Sequence, residues 1–229
     1  MMHISETVDL PGAVLFDMDG TLIDSEHLWR LAEQRIMNDL GGTWSDADQE
    51  NCLGGPLERV AEYMIASAGS TRSVERVGCD LMDEVEVLMR REPIRWRPGA
   101  RELLTEATDL GIATALVTAS WRRLVIALHE RLARDIGVDP FTVIVPGDEV
   151  NRGKPHPDPY LSAMTLLRRA PVDCMAIEDS PTGVAAAVAS GCKVVAVPHI
   201  ANIEAHPSLC IVRSLEGETI QSLWRGFTP

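Results

Sequence analysis

From Ala13 to Phe16 the chain runs four apolar residues together and then turns abruptly polar, in Asp17-Met18-Asp19-Gly20-Thr21. A short unbroken apolar run closed by a glycine turn fits a strand buried on both faces, as in a parallel sheet. The pattern recurs as Ile112 to Val117 before Thr118, Thr142 to Val145 before Pro146-Gly147-Asp148, and Cys174 to Ile177 before Glu178-Asp179. Val194 to Val197 before Pro198 follows it too, and Cys210-Ile211-Val212 is a weaker last instance. Helical stretches lie between these runs. Arg101 to Leu110 places Leu103, Leu104, Ala107 and Leu110 on one side, and Trp121 to Ala133 carries a Leu124, Leu128, Leu132 stripe. Asp158-Pro159 and Ser180-Pro181 read as a capping residue followed by proline at the first helical position, ahead of helices over 160–169 and 184–189. Strand and helix in alternation predict an α/β fold, a doubly wound parallel sheet with right-handed crossovers.

One segment breaks the rhythm. From about Ser25 to Pro93 the sequence is helical: Leu28, Leu31, Ala32, Arg35, Ile36 and Leu40 repeat at the helical period before Gly41-Gly42. Pro56 opens a second helix with Leu57, Val60, Met64 and Ile65 that stops at Gly69, and Val74, Val77, Leu81, Val85 and Leu88 mark a third. A block of this size between the first and second strands reads as an inserted α-helical cap domain. The expected division is residues 1–24 and 95–229 for the core and 25–94 for the cap, with hinges near Asp24 and Arg97-Pro98-Gly99.

A length of 229 residues allows one large domain, or one domain with an insert. The formal charge of -13 argues against sequence-independent nucleic-acid binding, which needs a basic surface. It leaves room for an anionic small substrate, because one bound cation reverses a local field. Val184 to Pro198, the longest apolar stretch, is interrupted by Gly191 and Lys193 and is too short to cross a bilayer, so no membrane partner is expected. Met1 to Glu6 lacks the basic and apolar segments of a secretory leader. Five cysteines without a C-x-x-C pair read as reduced, mostly buried thiols, and the expectation is a cytoplasmic protein, monomeric for want of any feature demanding more.

The polar residues gather where apolar strands end: Asp17 and Asp19, then Thr118, then Glu178 and Asp179. Open parallel sheets bind ligands at the carboxyl ends of their strands. Four carboxylates converging there would repel one another without a cation, and an all-oxygen set suits Mg²⁺. A carboxylate can also attack a phosphoryl group and form an aspartyl-phosphate, and the remaining requirement is positioning and charge neutralisation. Lys154 stands out as a source of positive charge, since Lys154 and Lys193 are the only lysines and arginine supplies every other basic residue. A compact ammonium is a point charge that a guanidinium cannot imitate.

Together, Asp17-Met18-Asp19-Gly20-Thr21, Thr118, Gly153-Lys154-Pro155 and Glu178-Asp179-Ser180 resemble motifs one to four of the haloacid dehalogenase-like (HAD) superfamily. The branch most similar has a helical cap between motifs one and two and contains beta-phosphoglucomutase-like proteins and sugar-phosphate phosphatases. The resemblance covers nearly the whole chain. It implies a Rossmann-like core and a Mg²⁺-dependent phosphatase acting on a small phosphorylated metabolite. By that resemblance Asp17 is the nucleophile, and Asp19 is the acid toward the leaving group and then the base toward water, its carbonyl also touching the metal. Asp179 is a metal ligand, with Glu178 a ligand or a partner behind it. Thr118 and Lys154 hold phosphoryl oxygens and charge, with Gly20, Ala119 and Ser120 around the same phosphate.

Each residue has a plainer reading. Asp17 and Asp19 taken alone can cap a turn, Thr118 can satisfy a strand end, Glu178 can be a solvated neighbour, and Ser180 reads better as a helix cap. His156 reads as structural, and no histidine pair has zinc spacing. Gly147 to Pro155 departs from a P-loop at Arg152 and Pro155, and no G-x-S-x-G elbow exists. Mutase-like members of the branch carry a cap histidine twelve residues after the nucleophile. Here that position is Trp29, and the substrate loop reads Gly54-Gly55-Pro56-Leu57, which favours a phosphatase over a beta-phosphoglucomutase-type mutase. Trp29 is either core packing of the cap or an apolar wall against a sugar face. A phospho-signalling or binding-only module fits less well: in response-regulator receivers the acidic pair precedes the acceptor, and no motif residue is missing here.

Overall fold

The computed structural model describes residues 9–52, 56–199 and 203–227. Its strands are β1 (Ala13–Phe16), β2 (Ala113–Val117), β3 (Val143–Val145), β4 (Cys174–Glu178), β5 (Lys193–Ala196) and β6 (Leu209–Ile211). Its helices are α1 (Glu26–Asp39), α2 (Asp46–Cys52), α3 (Leu57–Ala68), α4 (Val74–Arg91), α5 (Ala100–Asp109), α6 (Arg122–Ile136), α7 (Asp158–Leu167), α8 (Pro181–Ser190) and α9 (Ile220–Arg225). The strands form one sheet in the order β3-β2-β1-β4-β5-β6, and every neighbouring pair is parallel. Successive strand residues point to opposite faces. Val14, Phe16, Leu116, Met175, Ile177 and Val195 pack against α5, α6 and α9. Leu15, Ala115, Val117, Ala176, Val194 and Ala196 pack against α7 and α8. Two covered faces explain why the strand sequences are continuously apolar. The doubly wound α/β fold is as expected.

The α7–α8 layer is built largely from small side chains, Ala163, Ala186 and Ala187, which seats both helices close to the sheet. Tyr160, also in that layer and without solvent exposure, is the bulkiest fully buried residue. Leu110, expected to be buried with Leu103, Leu104 and Ala107, instead follows the last residue of α5 and is 48% exposed; local chemistry moves other helix ends. Ser180 caps α8 as expected, its Oγ accepting from Gly183 N at 3.1 Å, and the helix begins at Pro181 rather than Val184. Asp158 does not cap α7; it is the first helical residue, and Arg152 and His156 hold its carboxylate at 3.0 Å each. His156 Nδ1 lies 3.2 Å from Asp158 N as well, and serves either the carboxylate as donor or that N–H as acceptor, according to its protonation.

The chain divides into two compact units, Met1–Asp24 with Ile94–Pro229, and Ser25–Pro93. The return crossing falls ahead of Arg97-Pro98-Gly99, where a hinge was expected. Residues 95–97 are tied into the sheet unit: Asp24 N donates to Arg95 O and Arg97 N to Leu22 O, both at 2.8 Å, and Ile23 bridges Trp96.

In the helical unit α4 packs on α1 and α3, burying Val77, Leu81, Val85 and Leu88 with Ala32, Ile36, Val60, Ala61 and Met64. Two features differ from the sequence reading. Helix α2 was not anticipated, because Asp-Ala-Asp-Gln-Glu-Asn-Cys has no apolar stripe; Asp48 holds it, accepting from Tyr63 Oη at 2.6 Å and Ser45 N at 2.7 Å. On α1 the inward position falls to Glu33, only 4% exposed, while Arg35 faces out and pairs with Glu84 of α4. Among the thiols, all free, Cys52, Cys174 and Cys192 are buried and Cys79 is exposed.

Burial pushes the Glu33 carboxyl up to about 7; a hydrogen bond with Gln49 offsets part of this and the nearby Glu26 charge adds to it. The folded chain therefore keeps a proton that the unfolded chain loses near pH 4.5, and the stability this gives is lost as pH rises through about 7. Glu33→Gln carries no such proton. Relative to the parent it should gain on the order of 1–3 kcal/mol between pH 4.5 and pH 8. Denaturant midpoints of both proteins across that range measure the difference; parallel curves would contradict the assignment.

Candidate functional site

The sheet order changes direction beside β1, whose neighbours are β2 and β4. Phe16 stands opposite Leu116 on one side and Ile177 on the other, so the residues just beyond, Asp17 and Glu178, emerge side by side. Asp17 N still donates to Ile177 O at 3.1 Å, which holds the chain in register one residue past the strand. Carboxylate oxygens of Asp17, Glu178 and Asp179 all lie within 4.8 Å of one another, and all three residues are buried.

Lys154 reaches this cluster from the loop before α7. Its side chain is 5% exposed, and Nζ donates to Asp17 Oδ1 at 2.7 Å, Glu178 Oε1 at 2.5 Å and Val117 O at 2.9 Å. The three ammonium hydrogens are thus all engaged. Burial opposes the charge, but the carboxylates of Asp17 and Glu178 outweigh it and hold the ammonium above its ordinary pKa.

Glu178 has no solvent exposure. Burial and the Asp17 charge push its carboxyl up, against the pull of Lys154 and Tyr160. Tyr160 Oη donates to the same Oε1 at 2.5 Å, and burial followed by the Glu178 charge keeps the phenol well above its ordinary pKa. Two glycines make room for these carboxylates. A Cβ on Gly183 would fall 2.0–2.1 Å from the Glu178 carboxylate atoms, and one on Gly20 would fall 2.1 Å from Asp179 Oδ2. Gly20 also has φ +88, where side chains are disfavoured. Asp179 accepts from Thr21 Oγ1 at 3.3 Å, and burial with the charges of Asp17 and Glu178 pushes its carboxyl up to about 7.

Asp19 stands apart from this group. Its Oδ2 accepts from Ser120 Oγ at 2.7 Å and from Thr118 Oγ1 at 3.5 Å, while Ser120 N donates back to Thr118 Oγ1 at 2.9 Å. The convergence expected of four carboxylates is therefore one of three, because Gly20 turns the chain after Asp19 and Ser120 holds the side chain. Ala119 lies on the same loop, backed by Gly147, where a Cβ would sit 2.2 Å from the Ala119 carbonyl. Trp29 is half-buried on α1 of the helical unit, and Gly54 lies outside the described residues. Tyr160, Gly183 and the Val117 carbonyl escaped the sequence reading; a tyrosine six residues after Lys154 was the one available signal.

The donor set is wholly oxygen, and three buried carboxylates against one bonded ammonium leave two negative charges uncompensated when all are ionised. That chemistry fits a hard divalent cation held by Asp17 and Asp179. Glu178 is less suited to bind it directly, since Oε1 already accepts from both Lys154 and Tyr160.

The chain is 31% identical over 194 residues to a bifunctional riboflavin kinase/FMN phosphatase of Arabidopsis thaliana, 83% of this chain but 49% of that protein, so it spans about half the plant protein's length. It is 30% identical over 194 residues to hexitol phosphatase A of Escherichia coli (strain K12), covering 80% of this chain and 81% of that one. The structure of CbbY from Rhodobacter sphaeroides in complex with phosphate superimposes with a TM-score of 0.78 at 28% identity, over 93% of this chain and 99% of that chain. Residues 14–197 match the family described as haloacid dehalogenase-like hydrolase, and the chain belongs to that family.

Proposed function

We propose that this chain is a Mg²⁺-dependent phosphatase that hydrolyses a small phosphorylated metabolite, a sugar or polyol phosphate, through an aspartyl-phosphate on Asp17. The carrying observation is Asp17 fixed by Lys154 within a buried group of three carboxylates at the switch point of the sheet. A carboxylate oxygen of Asp17 attacks phosphorus as the bond to the leaving oxygen breaks, and Asp19 gives that oxygen its proton. Asp19 then takes a proton from water as the water oxygen attacks the aspartyl-phosphate, which releases phosphate and restores Asp17. Ser120 and Thr118 hold Asp19 to this task, and their loop with Ala119 and Gly20 cradles the phosphoryl group. Mg²⁺, held by Asp17, the Asp19 carbonyl and Asp179, supplies positive charge to the phosphoryl oxygens when bound. Lys154 opposes the remaining charge. The relative named hexitol phosphatase A and the structure of CbbY in complex with xylulose-(1,5)bisphosphate support the substrate class. Residues 25–94 are read as a cap domain, and the protein as a cytoplasmic monomer.

Turnover of p-nitrophenyl phosphate with Mg²⁺ tests the reaction. Asp17→Asn should lower it by at least about a thousandfold, since both chemical steps need that carboxylate; near-parental turnover in the variant removes the nucleophile. A phosphate-release screen across phosphorylated metabolites should favour sugar and polyol phosphates.

Gly20→Ala bears on the cation. The added methyl displaces the Asp179 carboxylate, so the Mg²⁺ concentration for half-maximal activity should rise by about tenfold or more. Titrating MgCl₂ into chelator-treated parent and variant measures this; an unchanged midpoint in a folded variant removes Asp179 from the cation site.

A further inference from the structure

We propose that Tyr160 is a positioning residue for the reaction: its hydroxyl, by occupying Glu178, keeps the Lys154 ammonium shared with Asp17. The inference rests on the phosphatase reading for its consequences and on the geometry for its content. Tyr160 lies on α7, fully buried, in an apolar layer with Ala163, Met164, Val184, Ala186 and Ala187. Its hydroxyl instead donates at 2.5 Å to the very oxygen that Lys154 Nζ approaches at 2.5 Å, and Nζ lies 5.3 Å from the centre of the Tyr160 ring.

Two carboxylates compete for one ammonium here, and a buried carboxylate with too few donors draws its cation closer. Glu178 has one other side-chain donor at hand, Ser180 Oγ, distant at 3.4 Å from Oε2. The Tyr160 hydroxyl makes up part of that shortfall on Oε1. Without it Glu178 leans on Lys154 and the distant Ser180 hydroxyl, and the bond from Nζ to Asp17 Oδ1 is the one that weakens. Gly183 closes the opposite side, where a Cβ would overlap Glu178, so the carboxylate lies between the first turn of α8 and the phenol. Tyr160 touches neither the proposed nucleophile nor any group that transfers a proton; it acts through Glu178 and Lys154.

Tyr160→Phe keeps the ring and removes the oxygen. On p-nitrophenyl phosphate the variant should lose about tenfold in kcat with KM within about twofold, as for other losses of an outer hydrogen-bond partner. In a Glu178→Gln background the same substitution should change kcat by less than about twofold, because the residue it acts through is already altered. A second readout needs no turnover. The chain has two lysines, so trace acetic anhydride labelling followed by mass spectrometry reports each one separately. Tyr160→Phe should raise labelling of Lys154 relative to Lys193 by about threefold or more, whereas general loosening of the fold raises both. An unchanged labelling ratio, or kcat losses that multiply independently in the double variant, overturns the inference. Raised Lys154 labelling with no parental phosphatase activity supports the hold on Lys154 and overturns the phosphatase reading instead.

Discussion

A buried ammonium with every hydrogen engaged is the interaction on which the site depends. Lys154 bonds Asp17, Glu178 and the Val117 carbonyl, so it touches groups at the ends of β1, β4 and β2 together. Those strands are neighbours, and their ends lie level because the sheet is parallel and in register there. Removing the charge would leave Asp17 and Glu178 facing each other in a poorly solvated space, an arrangement that costs far more than the pair contributes when intact. A guanidinium could not substitute, since its planar fork cannot reach three acceptors in different directions. Arginine supplies nearly every other basic residue of the chain, which makes this lysine the more informative.

The precision of the carboxylates comes from backbone placed against them. Glu178 ends β4 and Asp179 follows it, and each meets a glycine, Gly183 in the first turn of α8 and Gly20 in the turn after β1. The first turn of a helix presents unpaired N–H groups and the positive end of its dipole, which favours a carboxylate nearby. Ser180 takes one of those N–H groups, that of Gly183, and the missing side chain there lets Glu178 sit close. Glycine at these positions is a requirement of close approach.

Strands were legible because burial on both faces leaves an unbroken apolar run, and Ala13–Phe16 falls where its sequence places it. Helix α2 was not, because its hold comes from Asp48 bonds to Ser45 and Tyr63 instead of an apolar stripe. Arg35 and Glu33 show the limit of periodicity: both lie near the edge of the α1 stripe, and pairing with Glu84 draws Arg35 outward while the Gln49 and Trp44 neighbourhood accepts Glu33 inside. The polar strand ends announced the site residues. Tyr160 and Gly183 could not be read this way, since one looks like core aromatic and the other like an ordinary helical glycine until Glu178 is set between them.

The roles proposed for Asp17 and Asp19 ask one side-chain chemistry to serve two tasks. Two residues apart on a continuing strand, they would point to the same side and share surroundings. The turn prevents this: Gly20 N bonds Ile23 O at 2.8 Å, and Asp19 and Ile23 form a bridge that sends the chain back. Asp17 is left with the Lys154 ammonium, a partner that suits the nucleophile proposed for it. Asp19 accepts from the hydroxyls of Ser120 and Thr118, which can hold a carboxyl group whether or not it carries a proton. A group that must give a proton and later take one back needs partners indifferent to its charge, and a nucleophile needs the reverse. The local fold after β1 sets one of two identical residues against an ammonium and the other against a pair of hydroxyls.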